Sequence, residues 1–323
     1  MKYSVIVPTF NSIQFMEPVF KFIDKQERTD IEFIFVDDCS TDNTYEKLTE
    51  YSEKTKVETY VYRNDVNSGP GIARNKGMEK ANGEWIVFLD SDDALAEDFF
   101  SKIDDTIEKY TPDCVLYDSE VYDRNNRAVQ RPVTVYGKKE GRISPEDAVA
   151  YAIPGIRKCF KKSLIEEGNI KFNSFKRGED LIFYNQLYVC KPDLKLYYLK
   201  QNLYYIHQRD GSLSNGAETF NIMPQVYAYL REKMPEKYKP YIDISSVRML
   251  LYGGVLQMVK NGDNDKEIIQ FIKEYELEFP DWYHSEGYII LGKAKRIFLY
   301  CVKKRWIKII HLYVKLHKYY TTR

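Results

Sequence analysis

The chain lacks the marks of membrane-spanning, disulfide-linked and zinc-binding proteins. No run of about 18 apolar residues occurs in it, so no segment is expected to cross a bilayer. Its five cysteines are odd in number, widely scattered and without C-x-x-C spacing, which favours reduced thiols in a cytosolic setting and argues against a zinc site. No signal peptide is expected, because a strand pattern begins at Tyr3. We therefore expect a folded cytoplasmic protein.

The chain also lacks net charge, since 48 Lys and Arg balance 48 Asp and Glu. A balanced chain exerts no overall attraction on nucleic acid, and we expect no nucleic-acid partner. The charges are nevertheless unevenly distributed, because residues 287–323 contain ten Lys and Arg and no Asp or Glu. The last segment is therefore a basic tail on an acidic body.

The basic tail shows two faces at helical spacing. Its apolar face comprises Trp306, Ile309, Tyr313, Leu316 and Tyr320, and its basic face comprises Lys304, Lys308, His311, Lys315 and Lys318. Such a helix fits an anionic membrane surface, which predicts peripheral attachment to the inner face of the cell membrane. The alternative is a helix that packs on the body of the protein and leaves its basic side in solvent.

Strand and helix patterns alternate through the first part of the chain, without an internal repeat or a low-complexity linker. Strands are predicted at 3–7, 31–36, 57–62, 85–89 and 114–122, and helices at 13–27, 44–55, 72–81 and 98–110. This alternation indicates an α/β fold with a parallel, doubly wound sheet. The pattern is mixed at 123–215 and all-helical from 220 onward, which predicts domains at 1–215, 216–286 and 287–323.

Two carboxylates, Asp90 and Asp92, follow the apolar run 85–89. Carboxylates at the exit of a buried strand are costly unless something positive lies against them. Spaced one residue apart, they can share Mg²⁺ or Mn²⁺, and that cation can hold a diphosphate. The alternative is that a helix starts here, with Asp92 or Asp93 as its N-cap.

Other polar residues also lie at predicted strand ends, namely Pro8-Thr9, Asp37-Asp38 and Asn67. In a parallel sheet, ligands bind at the carboxyl ends of the strands. The glycines of Gly69-Pro70-Gly71 permit close approach of the backbone to a ligand. This loop follows neither the dinucleotide-binding nor the P-loop pattern.

Five stretches together resemble the family 2 glycosyltransferases, which have a GT-A fold, the Rossmann-like sheet of nucleotide-diphospho-sugar transferases. They are 4–11, 36–44, 67–77, 88–93 and 177–181. The resemblance covers about residues 1–215. It implies a GT-A catalytic domain followed by a helical extension. It also implies an inverting hexosyltransferase with a UDP-sugar donor, Mn²⁺ or Mg²⁺, and a glycan or lipid-linked saccharide acceptor in bacterial surface polysaccharide synthesis.

The resemblance also assigns the donor site. The implied donor-binding residues are Pro8, Thr9, Asn11, Asp38, Asn67, Arg74, Asp90, Ser91 and Arg209. Asp38 would accept a hydrogen bond from the N3–H of uracil, although it could instead cap the following helix. Arg74 would pair with Asp90 or with the diphosphate, and Arg209 would clamp phosphate oxygens.

The metal site implied by the resemblance consists of Asp92 as the direct ligand, Asp90 as a ligand of the metal or the ribose, and His207. Many relatives have Tyr or Arg where His207 stands, and a lone histidine is often structural. Bound metal would withdraw charge from the departing nucleoside diphosphate.

Glu179 and Asp180 lie where the family places its catalytic acid pair, at the predicted start of a helix. An acid at a helix N-terminus tends to stay ionised, so it can take the proton of an acceptor hydroxyl. Asp180 is the expected base, and Glu179 is expected to orient the acceptor or the base. The alternative is a pair of acids that only caps the helix.

Two other functions remain open. A sugar-1-phosphate nucleotidyltransferase shares the sheet and metal site, but usually has a Gly-rich, Arg-containing loop where this chain has Pro8-Thr9-Phe10-Asn11. A catalytically silent sugar-nucleotide-binding subunit would not need the intact set of Asp90, Asp92 and Asp180. Residues 220–286 could pack on the body or form the interface of a homo-oligomer.

Overall fold

The computed structural model describes residues 1–123, 128, 136, 139–153, 155–175, 177–208 and 217–321, without the side chains of 217–221 and 318–321. Two compact units divide the chain. The first comprises 1–148 and 152–210, and the second comprises 149–151 and 211–323. The expected domain boundaries at 215 and 286 stay predictions.

The first unit is built on one mixed sheet. Its strands are β1 Tyr3–Thr9, β2 Ile31–Asp37, β3 Glu58–Arg63, β4 Trp85–Phe88, β5 Ala94–Leu95, β6 Cys114–Tyr122, β7 Gly141–Ile143, β8 Lys158–Lys161 and β9 Leu196–His207. The strand order is β3-β2-β1-β4-β8-β6-β9-β5, and β7 pairs with β9. Its helices are α1 Glu17–Asp24, α2 Thr44–Ser52, α3 Pro70–Lys80, α4 Phe99–Tyr110, α5 Pro145–Tyr151, α6 Lys162–Glu167 and α7 Glu179–Tyr188.

The prediction of a parallel sheet is correct for β3, β2, β1 and β4, whereas beyond β4 the sheet is mixed. Strand β8 inserts antiparallel between β4 and β6. Strand β9 then pairs parallel with β6 and antiparallel with β5 and β7. With four residues and a lysine at each end, β8 shows neither a long apolar run nor an alternating pattern, so the sequence contains no clear signal for it.

The carboxyl ends of β1, β2 and β4 form one edge of the parallel half-sheet. β1 continues through Pro8 to Thr9, two residues beyond its predicted end. Proline is tolerated there because β4 pairs with β1 only as far as Ile6. Helix α3 packs closely on β1, since a Cβ on Gly77 would collide with the side chain of Ile6.

The regular elements described in the second unit are all helices, as the sequence predicts. Its helices are α8 Ala217–Lys233, α9 Lys239–Ser245, α10 Val255–Asn261, α11 Asp265–Glu278, α12 Glu286–Ile289, α13 Lys293–Lys303 and α14 Ile307–Thr321, and a π-helical stretch, Ser246–Gly254, joins α9 to α10. By length and composition, Glu236–Asn261 could cross a membrane, contrary to the expectation from sequence. However, 61% of its apolar window is buried within the protein, as in a core helix.

Candidate active site

The acidic motif lies in a turn immediately after β4. The alternative in which Asp92 or Asp93 caps a helix is wrong, because α4 begins only at Phe99 and its N-cap is Asp98. Between them, the short strand β5 pairs with Tyr204 and Tyr205 of β9. This pairing brings the end of β9 to the acidic turn.

Arg74 connects the acidic turn to helix α7. Its side chain is 5% exposed, and it donates to Asp90 Oδ1 at 2.8 Å and to Glu179 Oε1 at 3.1 Å. The rings of Phe88 and Phe172 lie 5.8 and 5.4 Å from the guanidinium. Burial alone would lower the pKa of Arg74, but the two carboxylates raise it overall. The arginine therefore stays charged and holds the two acidic segments together.

The predicted pairing of Arg74 with Asp90 is thus present, and Glu179 is a second partner that sequence reasoning missed. An arginine in the first turns of one helix and a glutamate far along the chain share no local pattern. They meet because α3 approaches the start of α7, where a Cβ on Gly71 would lie 3.1 Å from the Cγ atom of Glu179.

Asp93 is the buried member of the acidic turn. Its Oδ1 accepts from the backbone N–H of His207 at 2.9 Å, and its carboxyl also hydrogen-bonds to Tyr204. The Tyr204 hydroxyl in turn accepts from the backbone N–H of Asp90 at 3.0 Å. Burial, followed by the charges of Asp90 and Asp92, raises the pKa of Asp93 well above its usual range. The hydrogen bonds of Asp93 and Tyr204 therefore fix the acidic turn against β9.

His207 is brought beside Asp92, to whose backbone it hydrogen-bonds. Its ring stacks on Tyr122 with 5.7 Å between centroids, and burial lowers the pKa of His207. The Nδ1 atom is buried and has no hydrogen-bond partner among the described residues. A neutral imidazole with an unused nitrogen is the form that can ligate a metal.

Within the described part of the chain, no three His, Cys, Asp or Glu side chains form a ready cluster of metal ligands. A magnesium site does not require one, because Mg²⁺ is often held by one or two carboxylates together with substrate phosphates. Burial raises the pKa of Asp93 most, and the charges of the neighbouring Asp90 and Asp92 raise it further, so three carboxyl groups lie close together at this turn. Asp90 and Asp92 therefore fit such a cation.

Glu179 and Asp180 lie where the sequence predicts a helix start. Helix α7 begins at Glu179, after Gly178 with its positive φ of 76°. Asp180 Oδ1 accepts from the backbone N–H of Leu181 at 2.8 Å, and its side chain is only partly buried. Burial and the charge of Asp180 raise the pKa of Glu179 to about 7, although Arg74 opposes the shift. The two acids thus differ in their surroundings. Glu179 is buried and bound to Arg74, whereas Asp180 is more exposed to solvent.

Asp38 is buried at the end of β2 and organises the loop before α3. Its carboxylate accepts from Asn64 Nδ2 at 2.8 Å, from the backbone N–H of Ser68 at 3.0 and 3.1 Å, and from that of Gly69 at 2.6 Å. These bonds run to residues 64–69, while the N-cap of α2 is Asn43, so Asp38 does not cap that helix. Asp38 thus shapes the loop that contains Asn67, which is exposed.

Two of the predicted residues, Thr9 and Asn11, lie at and just beyond the end of β1 and make different contacts. Thr9 ends the strand with its hydroxyl buried and without a hydrogen-bond partner among described residues. Asn11 has a positive φ of 46°, and its Oδ1 accepts from the backbone N–H of Thr41 at 2.8 Å. Asn11 therefore joins the loops after β1 and β2. Thr9 keeps a polar atom available at the strand ends.

The remaining predicted residues are Pro8, Ser91 and Arg209. Pro8 lies within β1, where it is buried, and Ser91 is buried in the acidic turn. Arg209 lies outside the described residues.

Lys158 of β8 is a further group that sequence reasoning missed. It is fully buried, donates to the carbonyl of Ile153 at 3.2 Å, and lies 4.3 Å from the ring centroid of Tyr184 in α7. Burial lowers the pKa of Lys158 to about 7, although the charge of Asp180 acts in the opposite direction. A lone lysine in an unpredicted strand offers no signal in the sequence.

Comparison with known proteins identifies the family of this chain. The model of the family described as "Glycosyl transferase family 2" matches residues 4–168, just over half of the chain. The Staphylococcus aureus poly(ribitol-phosphate) beta-N-acetylglucosaminyltransferase TarS is 28% identical over 221 residues, which cover 67% of this chain and 37% of TarS. The chain therefore spans little more than a third of TarS.

A Campylobacter jejuni relative, GalNAc(5)-diNAcBac-PP-undecaprenol beta-1,3-glucosyltransferase, is 28% identical over 213 residues, covering 64% of this chain and 62% of that protein. The crystal structure of S. aureus TarS 1-349 with UDP-GlcNAc matches with a TM-score of 0.73 and 21% identity, covering 98% of this chain and 92% of that one. This likeness confirms the GT-A fold. The chain belongs to glycosyl transferase family 2.

Proposed function

We propose that this protein is an inverting glycosyltransferase that moves a hexose from a UDP-sugar to a glycan or lipid-linked saccharide. One observation carries the proposal: Arg74 binds Asp90 of the acidic turn and Glu179 beside Asp180. The group expected to hold the donor diphosphate and the group expected to activate the acceptor therefore belong to one connected site.

The donor side of the proposal rests on the ends of β1 and β2. Asp38 organises the loop 64–69, and Thr9 leaves a buried hydroxyl at the neighbouring strand end. Together they border the place where a parallel sheet of this kind binds nucleotides. UDP-GlcNAc is bound by TarS, whose structure resembles this one, and this favours a UDP-sugar over other nucleotide sugars.

Asp92, Asp90 and His207 are the proposed ligands of Mn²⁺ or Mg²⁺. When bound, the cation would neutralise charge that develops on the leaving diphosphate. Arg74, which already binds Asp90, adds a fixed positive charge at the same place. Asp93 and Tyr204 hold the turn in position, so that its two ligand carboxylates do not have to be ordered on binding.

Asp180 is the proposed base. An acceptor hydroxyl oxygen attacks C1 of the sugar while its proton passes to the Asp180 carboxylate. The bond between C1 and the diphosphate oxygen breaks, UDP leaves with the electron pair, and the configuration at C1 is inverted. Glu179, fixed by Arg74, is the proposed positioning residue for this base.

We further propose that the acceptor belongs to a bacterial surface polysaccharide. The names of the relatives describe action on poly(ribitol-phosphate) and on a saccharide linked to PP-undecaprenol. Both kinds of acceptor carry phosphate groups. Oligomerisation of this chain stays a prediction.

The second unit has a surface suited to an anionic membrane. Trp306, which immediately precedes α14, and Ile309, Leu312 and Leu316 of α14 are 46–56% exposed. The acid-free tail supplies basic residues around them. The predicted faces need correction, because Tyr313 is half-buried against Phe298, with 4.6 Å between ring centroids. His311 hydrogen-bonds to Asp265, and the side chains of Lys318 and Tyr320 lie outside the described residues. We propose contact through the exposed face of α14.

The test of the proposed reaction is release of UDP from a panel of UDP-sugars with Mn²⁺. The native chain is compared with Asp92→Ala and Asp180→Asn, and unfolding curves confirm that each variant is folded. Metal-dependent release with one sugar, lost in both variants, supports the proposal and names the donor.

Two other outcomes would overturn it. Binding of UDP-sugars without turnover, in the presence of any acceptor, would indicate a silent binding subunit. Release of pyrophosphate from a nucleoside triphosphate would indicate a nucleotidyltransferase.

A further inference from the structure

The second unit contains an open pocket at the N-terminus of α13, apart from the residues assigned to the transfer reaction. Its volume is about 460 Å³, and it is lined by Tyr151, Arg248 and residues 290–295. All of these residues belong to the second unit. The pocket is large enough to admit a phosphate group with its flanking atoms.

Among the described residues that line this pocket, three are cations and none is a carboxylate. They are Arg248, Lys293 and Lys295. Burial lowers the pKa of Arg248, and burial together with the charge of Arg248 lowers the pKa of Lys295. Among the described residues, no carboxylate acts on the pKa of either group. Arg248 is half-buried, whereas Lys293 and Lys295 are exposed. Half-buried positive charge without a counter-ion is costly, and a bound anion would lower that cost at Arg248.

The guanidinium of Arg248 is held in place rather than mobile. It donates to the carbonyl of Ala150 at 2.9 Å and lies 4.5 Å from the ring centroid of Tyr151. Neither partner carries negative charge. Because its partners are neutral, the guanidinium still has N–H donors that can bind an anion. Because it is already held in position, it loses little conformational entropy when the anion binds.

The backbone of α13 adds donors at the same place. This helix has 11 residues, and its N-cap, Gly292, supplies no side chain to its first turn. The first N–H groups of a helix have no partner within the helix, and they carry partial positive charge toward solvent. A Cβ on Gly292 would meet nothing within 4 Å, so there is open space beside the N-cap of this helix.

We propose that this pocket is a phosphate-binding site that engages a phosphodiester or diphosphate group of the acceptor, separately from the site of sugar transfer. Arg248 and Lys295 supply charge, and the first turn of α13 supplies N–H donors. The assignment to the acceptor rests on the proposed function. A lipid headgroup carries the same chemistry and is the other source of the phosphate.

The variant Gly292→Asp provides the sharpest test. Aspartate is a favourable N-cap residue, and the backbone of Gly292, with φ −61° and ψ 155°, already has N-cap geometry. The substitution should therefore stabilise α13 while placing a carboxylate where the anion would lie. Gly292→Ala is the matched control for the backbone change. Arg248→Gln tests the guanidinium, and Lys237→Gln, an exposed lysine of the same unit, controls for loss of charge.

Binding is measured by calorimetry with inorganic phosphate and with a short polyol-phosphate oligomer. We expect Gly292→Asp and Arg248→Gln to weaken binding by about tenfold or more, while Gly292→Ala and Lys237→Gln bind like the native chain. Binding that is absent in the native chain, or equal in Gly292→Asp and Gly292→Ala, overturns the proposal.

Two binding measurements, one with the oligomer and one with lipid vesicles, distinguish the two sources of the phosphate. Oligomer binding that is sensitive to Gly292→Asp supports the acceptor. If Gly292→Asp weakens binding only to phosphatidylglycerol vesicles, with phosphatidylcholine vesicles as the control, the phosphate is that of a lipid headgroup. That result overturns the assignment to the acceptor. Binding of UDP is measured in parallel, so failure of the proposed transfer reaction is distinguished from failure of this site.

Discussion

Asp90 and Glu179 accept hydrogen bonds from two nitrogens of one buried guanidinium, that of Arg74, at 2.8 and 3.1 Å. One of these acids follows a strand and the other begins a helix. Their distance is therefore set by a planar, rigid group rather than by either element alone. The remaining Arg74 nitrogen, Nε, is buried and has no hydrogen-bond partner among the described residues.

Replacement of Arg74 should uncouple the two acids. In Arg74→Lys, a single ammonium cannot reach both carboxylates with the same geometry, so we expect release of UDP to fall by about 100-fold or more. Arg74→Ala leaves buried carboxylate charge unpaired and should also lower the free energy of unfolding by about 3–5 kcal/mol. Activity assays and denaturant unfolding measure the two effects.

Arg28 is the matched control for Arg74. It binds Asp30 and Asp104 near the amino ends of the strands, and its side chain is 30% exposed. Arg28→Lys should leave release of UDP unchanged. Equal losses in Arg28→Lys and Arg74→Lys would mean that Arg74 has no special relation to the reaction.

The acids of the turn should respond differently to replacement by amides. Asp93→Asn keeps an oxygen that accepts from the backbone N–H of His207, so it should retain most of the metal-dependent activity. Asp92→Asn removes the proposed metal ligand, and we expect a loss of about 100-fold or more. Chelation by EDTA should abolish the activity, and Mn²⁺ should restore it. Persistence of activity in Asp92→Asn or in EDTA contradicts the metal assignment.

Glu179 should make stability depend on pH. Its pKa rises on folding from 4.5 to about 7, so between these values the folded state binds more protons than the unfolded state. The free energy of unfolding therefore falls as pH rises through this range. Glu179→Gln should remove about 1–3 kcal/mol of this fall. Denaturant unfolding at several pH values measures it, and Glu166→Gln, at an exposed site, serves as the control. Identical slopes in all three proteins would show that Glu179 is not perturbed.

Asp38 can be tested for recognition of the base. If its carboxylate accepts from the N3–H of uracil, Asp38→Asn should weaken binding of UDP by about tenfold or more and weaken CDP less, since cytosine has an acceptor at N3. Calorimetry with both nucleotides measures this difference. Equal weakening would mean that Asp38 acts only through its bonds to Ser68 and Gly69.

The exposed face of α14 should bind anionic vesicles. Trp306→Ser combined with Leu312→Ser removes two apolar groups, and we expect about tenfold or more weaker binding to phosphatidylglycerol vesicles in sedimentation assays. Leu277→Ser removes an 80% exposed leucine from α11, beside acidic residues, and is the control. Unchanged sedimentation of the double variant would refute membrane contact through this face.

The sequence by itself determined the parallel half of the sheet and the positions of Asp38, Asp90 and Asp92 at its strand ends. These features depend on local patterns, since apolar runs of strand length and the polar residues that end them are neighbours in the chain. The start of α7 at Glu179 was readable for the same reason, from its glycine, its acids and the apolar residues that follow.

Only the tertiary structure decided that β8 inserts antiparallel beside β4, that Arg74 joins Asp90 to Glu179, and that His207 comes to Asp92. Each of these relations joins residues that are far apart in sequence and are brought together by packing. Burial is likewise a property of the packed chain. The shifts in the pKa of Glu179 and of Lys158 come first from loss of solvent, which no residue type or spacing records.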